Sequence, residues 1–221
     1  YLALRFTEEG WSMKRLIREI VTSANYRQSS KVRPDVHAKD PENALLARQS
    51  RVRLPAELIR DSALHAAGLL THEVGGRSIR PPQPDGVASI AYGARSGDSW
   101  VESKGADRYK RGLYIHFQRA TPYPLLMNFD APKSVVAQCR RERSNTALQA
   151  LNLLNDPVFL EAAEALARRV EGTPDPIGAM FEIALGRPPS KAEADRFRAS
   201  KAPMALLASV VLNLDEFITR E

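Results

Sequence analysis

The sequence predicts a mainly α domain: a helical fold carrying one long Gly/Pro-rich irregular insertion at about residues 71–106. Three observations predict it. Apolar residues recur at helical spacing over most of the chain. Prolines and capping residues stand where such helices would begin. Gly75-Gly76 and Pro81-Pro82-Gln83-Pro84-Asp85-Gly86 then leave no room for a long helix in between. The 221 residues suit one large domain or two small ones, and a 43% hydrophobic, 26% charged composition excludes wholesale disorder.

From the start, the residues after Tyr1 read as helix interior. Between Trp11 and Asn25, Met13, Leu16, Ile17, Ile20, Val21 and Ala24 form one apolar stripe, expected to face a core, with Ser12 as N-cap. Gln28 to Asn43, with Pro34 and Pro41, reads as a loop. Leu54-Pro55-Ala56-Glu57 opens a helix that runs through Leu58, Ile59 and Ala63 to Leu70. Within the insertion, Trp100 and Tyr92 would line a cleft or simply pack the loop. Arg108 to Arg119 fits both a strand and a helix, and the helical surroundings favour a helix.

The second half is plainer. Helices are expected over Thr146–Leu154 and Pro157–Val170, with Asp156 as the cap between them. Another spans Pro176–Leu185, stopped by Gly186 and Pro188. Ser190 and Glu193 have capping-box spacing for the next. A last helix carries Leu206, Leu207, Val210, Val211, Leu214, Phe217 and Ile218 as one stripe. Residues from about 174 to 221 would then form a C-terminal helical subdomain of a single domain, 1–221.

Charge narrows the function classes. The net charge is +6, but residues 1–120 hold 20 basic and 13 acidic side chains while the rest hold 12 and 13. The cations are interspersed with acids and never line one helix face, which argues against a nucleic-acid binder. No apolar run approaches the length of a membrane span. One cysteine, Cys139, cannot form an internal disulfide or a CxxC metal site, and reads as a small buried apolar group. His65 and His72 are seven apart, across Gly68, so a metal pair there is not supported. No GxSxG, Walker or GxGxxG pattern occurs.

One cluster stands out. Asn145, Gln149 and Asn152 recur at i, i+4, i+7, which aligns three carboxamides on one side of a helix. Arg140, Arg141 and Arg143 precede that helix, whose first N–H groups attract anions. Together they would hold a carboxylate, sulfate or phosphate, with the amides reading neighbouring hydroxyls. The same residues also have a structural reading: Thr146 and Gln149 form a capping box, Asn145 ties down the loop, and the arginines pair with acids. An enzymatic reading would draw instead on Asp107, Arg108, Asp130 and Arg143.

Three sets of motifs add a resemblance. The first is Trp11-Ser12-Met13-Lys14-Arg15-Leu16-Ile17 with Ile20-Val21-Thr22-Ser23-Ala24-Asn25-Tyr26-Arg27-Gln28-Ser29-Ser30. The second is Arg51-Val52-Arg53-Leu54-Pro55-Ala56-Glu57-Leu58-Ile59-Arg60-Asp61, then the Gly75-Gly76 and Pro81–Val87 stretches. The third is Asp107-Arg108-Tyr109-Lys110-Arg111-Gly112-Leu113-Tyr114, Phe129-Asp130-Ala131-Pro132 and Arg141-Glu142-Arg143-Ser144-Asn145-Thr146-Ala147-Leu148-Gln149. In this order, the chain resembles the Planctomycete-specific domain family catalogued as domain of unknown function 1553. The likeness covers nearly the whole length. It departs at Ala147, where the family commonly has Pro, and at Ala106, where an acidic residue is common.

The resemblance implies an exported, extracytoplasmic protein in which a c-type cytochrome segment and a companion domain lie upstream of this one. Haem c would then belong to that upstream region, since Cys139 stands alone, and no cofactor is expected in this fragment. The start at Tyr1 fits a piece of such a longer chain. The implied partners are those upstream domains and an anionic or polysaccharide ligand. The family supplies no catalytic residues to carry over. An accessory or ligand-binding domain leads, ahead of an oxidative or hydrolytic enzyme sharing its site with an upstream domain, and of a structural cell-envelope assembly domain.

Overall fold

The computed structural model describes residues 1–84, 86–87, 100–119, 121–134 and 136–220, so Tyr92 and much of the predicted insertion lie outside the described residues. Among the described residues it is mainly α, with eleven α-helices and one two-stranded sheet that pairs β1 (Val52–Arg53) with β2 (Thr219–Arg220). The chain divides into two compact units, residues 1–52 with 219–221, and residues 53–218.

In the first unit, α1 (Leu2–Glu8) and α2 (Met13–Thr22) form a helical hairpin. Gly10 and Trp11 take left-handed backbone to make the turn, and the Trp11 ring meets Phe6 edge-on at 5.3 Å. Ser12 caps α2 through the Arg15 N–H. Beyond Asn25 a long loop carries the short helix α3 (Pro34–His37).

The second unit is built on α7 (Pro157–Val170), whose Phe159, Ala162, Leu166 and Val170 are buried. Against it pack α4 (Ala56–Ala66) and α10 (Met204–Leu212), then α6 (Ala147–Asn155) and α8 (Pro176–Leu185). Small residues on both α4 and α7 (Ala56 and Ala63, Ala162 and Ala163) allow close approach of the two helices. The remaining helices are α5 (Pro124–Asn128), α9 (Lys191–Ser200) and α11 (Asp215–Ile218).

Several expectations need correcting. The Arg108–Arg119 segment is not an α-helix: it makes two 3₁₀ turns, Gly105–Tyr109 and Gly112–Tyr114, and Lys110 and Ile115 bridge Thr71 and Ile79. Gly112 fixes this path, because a Cβ there would lie 2.9 Å from Glu57 Cα. The predicted last helix is two helices, since Asn213 takes the Ser209 carbonyl with its side chain (2.8 Å) and the chain turns before α11. The Gln28–Asn43 loop contains α3. The α2 stripe faces no core, with Met13 and Ile17 59% and 53% exposed. Cys139 is exposed, not buried.

Candidate functional site

The residues before and along α6 do come together, around a guanidinium from β1. Arg53 Nη1 donates to the Ser144 carbonyl at 2.8 Å and to Gln149 Oε1, while Nη2 donates to Asn145 Oδ1 at 2.9 Å. Gln149 Nε2 donates to the Asn128 carbonyl (2.8 Å) and Ser144 Oγ (3.0 Å). Its Oε1 also accepts the Thr146 N–H at 3.4 Å, the return half of the capping box. Both amide protons and both carbonyl lone pairs of Gln149 are thus used, and the residue is only 2% exposed.

The network continues inward. Asn128 Nδ2 donates to Asn152 Oδ1 (2.9 Å), and Asn152 Nδ2 donates to Asp156 Oδ2 (2.9 Å). Asp156 Oδ1 accepts the Val158 N–H at 3.0 Å and so caps α7. Burial pushes the Asp156 carboxyl above its ordinary range. Asp130, held at φ 60°, accepts the Ser144 N–H (2.6 Å) and hydroxyl (2.9 Å) and so fastens the loop ahead of α6. Arg141 clamps Glu57 with two bonds of 2.8 and 3.1 Å. Arg140 and Arg143 are exposed and have no hydrogen-bond or ion-pair partner among the described residues.

As a result α6 turns Gln149 and Asn152 inward beside the buried Leu153 and leaves Leu148, Leu151 and Leu154 about half exposed (54%, 55% and 48%). The cost of bringing carboxamides inside is met by filling their hydrogen-bonding capacity.

Arg108 belongs to a second network. Its Nε and Nη2 donate to Glu161 Oε2 at 3.2 and 3.0 Å, its Nη1 to Glu102 at 3.2 Å, and Tyr109 OH donates to Glu161 Oε1 at 2.7 Å. Asp107 pairs with Lys110 at 2.8 Å, which holds the Asp107 carboxyl below its ordinary range. No hydrogen bond or ion pair among the described residues joins Asp107 or Arg108 to Asp130 or Arg143.

Four contributors go unannounced by the site's own segment. Arg53 and Asn128 are distant in sequence from the residues they hold, so no local spacing announces them. Arg60 had a signal: it lies on the arc of α4 that also carries Ala56, Ile59 and Ala63, whereas Asp61 lies off that arc. Arg60 is 1% exposed and donates to the Lys110 and Arg108 carbonyls at 2.8 and 2.9 Å. Asp61 Oδ1 accepts the Gly112 N–H at 2.6 Å, lies 3.6 Å from Arg60, and is pushed above its ordinary range by burial. With Ser62 and His65, Asp61 lines an open hollow of about 300 Å³.

Another hollow of this unit, about 350 Å³, is lined by Glu164, Arg168, Pro176 and Met204, away from the predicted residues. His65 and His72 do meet, edge to face at 6.0 Å, but among the described residues no group of three or more His, Cys, Asp or Glu is placed to hold a metal. No helix among the described residues is long and apolar enough to cross a membrane.

A family model described as PSD1, protein of unknown function (DUF1553), matches residues 1–200. No curated protein and no solved structure matches the chain.

Proposed function

The chain belongs to the PSD1 family of proteins of unknown function (DUF1553), and from that premise we propose that it serves as an accessory binding domain of an exported, c-type cytochrome-associated multidomain protein. In this reading it holds an anionic ligand or polysaccharide beside neighbouring domains, and the chemistry belongs elsewhere in the protein. Haem c, on this view, is carried upstream.

The observation that supports it is the division of labour before α6. Gln149, Asn152, Asn145 and Asp130 spend polar atoms on internal partners, whereas Arg140 and Arg143 stay open to solvent. The frame is therefore a support, and the two free guanidiniums are the groups that would meet a carboxylate or sulfate. Titration with polygalacturonate tests this. The R140A/R143A variant should bind at least about tenfold more weakly at low salt, with an unchanged melting temperature. Equal affinity of variant and wild type, or no saturable binding by either, would remove the reading.

One observation favours a second reading, an oxidative or hydrolytic enzyme whose site is shared with another domain. Asp61 keeps a raised proton affinity at the edge of a hollow that also holds Ser62 and His65, a combination suited to acid–base work. A hydrolytic activity of the full-length protein that disappears in Asp61→Asn, with folding intact, would support that alternative over the first.

A further inference from the structure

The first unit contains a separate hollow, of about 670 Å³, lined by Gln28, Ser29, Lys31, Arg33, Leu45, Leu46 and Ala47. Its walls are set by a loop that is tied to itself at many points. Gln49 Nε2 donates to the Asn25 and Tyr26 carbonyls at 3.0 and 2.9 Å, and Gln49 N–H donates to the Ser29 carbonyl at 3.2 Å. The buried Asn43 side chain closes a ring with Arg48, donating to its carbonyl (2.8 Å) and accepting its N–H (3.1 Å).

The cations on this wall are poorly neutralised. Lys31 and Arg33 stand two apart, and both line the hollow. The Lys31 ammonium has no hydrogen-bond or ion-pair partner among the described residues, its backbone N–H alone donating to Ser29 Oγ at 3.1 Å, and the Arg33 guanidinium spends only Nη2, on the Ala47 carbonyl at 3.2 Å. Arg48 and His37 line an adjoining hollow that also includes Lys31 and Arg33. The one carboxylate lining either hollow is Asp40, and its two oxygens already accept the Ala44 and Leu45 N–H groups at 2.9 and 2.8 Å.

The lining also has an apolar part, Leu45, Leu46 and Ala47. Leu46 sits at φ 54°, a left-handed conformation that a bulky residue adopts only when its surroundings enforce it. The enforcing contacts are the Asn43 ring and the Asp40 carboxylate, which carries the N–H groups just ahead of Leu46. The outcome is two consecutive leucines, 83% and 54% exposed, lining the same hollow as the two cations, and the hollow is of ligand size.

We propose that this hollow is a binding site for an aliphatic organic anion, with the anionic head on Lys31 and Arg33 and the hydrocarbon body on Leu45 and Leu46. The linings explain the class: two cationic donors suit a carboxylate, and branched aliphatic walls without an aromatic ring suit an alkyl chain over a stacked base or sugar. This site is independent of the reading given to Arg140 and Arg143.

The test is calorimetric titration of the chain with decanoate, decanol and acetate, with amide shifts followed across residues 28–47. Decanoate should bind saturably and move those amides. Decanol and acetate should each bind at least about tenfold more weakly, since each offers half of the recognition. Lys31→Ala and Leu45→Ser, both at exposed side chains, should each weaken decanoate by about tenfold without changing the melting temperature. Lys31→Glu should weaken it further. Decanoate binding that survives Lys31→Glu, decanol binding as tight as decanoate, or the absence of shifts in this loop would each overturn the proposal.

Discussion

Four hydrogen bonds converge on the Gln149 carboxamide, and each loses its partner if the side chain is cut back. Gln149→Ala leaves the part-buried Asn128 carbonyl without its partner and takes from Arg53 Nη1 one of its two acceptors, so it should destabilise the fold by about 2–4 kcal/mol in thermal or urea unfolding. Gly112→Ala should cost about 1–3 kcal/mol by the same measurement, because the new methyl meets Glu57 backbone and not a side chain that can swing away. The sequence made half of this legible: the spacing of Asn145, Gln149 and Asn152 and the capping box both stand on one short segment. What it left out is the reason the carboxamides point inward. Arg53 lies 96 residues before Gln149, and only the folded chain brings them together.

At the scale of elements, local signals worked where caps and prolines mark a boundary and failed where packing decides. Pro157 and Asp156 set the start of α7, and Pro176 and Gly186 bracket α8, as read from the residues. Apolar periodicity alone could not say that α6 buries Gln149 and Asn152 while Leu148, Leu151 and Leu154 stay half exposed, or that Met13 and Ile17 of α2 lie exposed. Nor could it foresee 3₁₀ turns at Gly105–Tyr109, which depend on Arg60 of α4 collecting the Arg108 and Lys110 carbonyls. The cap of α9 carries a pH prediction. Arg187, assisted by the Ser190 hydroxyl and N–H, holds the Glu193 carboxyl down to about 2 from an ordinary 4.5. A carboxyl with a depressed folded-state pKa contributes stability above its unfolded value and loses it as pH falls through the folded one. The chain's melting temperature should therefore fall more steeply between pH 4.5 and 2 than that of Glu193→Gln. Asp61 and Asp156 act in the opposite sense: their raised values favour the folded state as pH drops toward the ordinary 3.8.

At the scale of the whole molecule, the unit 53–218 holds a hydrogen-bonded frame that leaves the Arg140 and Arg143 guanidiniums without a partner among the described residues. The family match spans both units through residue 200, so the long motifs that carried the resemblance include many residues the frame consumes: Arg53, Glu57, Asp107 to Lys110, Asp130, Ser144 and Gln149. The central claim is that these side chains support the fold and do not wait for a ligand. Thermal unfolding of Gln149→Ala beside R140A/R143A tests it most directly. Gln149→Ala should melt about 5 °C or more below wild type, and the double arginine variant should melt with wild type. A Gln149→Ala protein that melts like wild type would contradict the account, and would return the carboxamide row to the role of a ligand site.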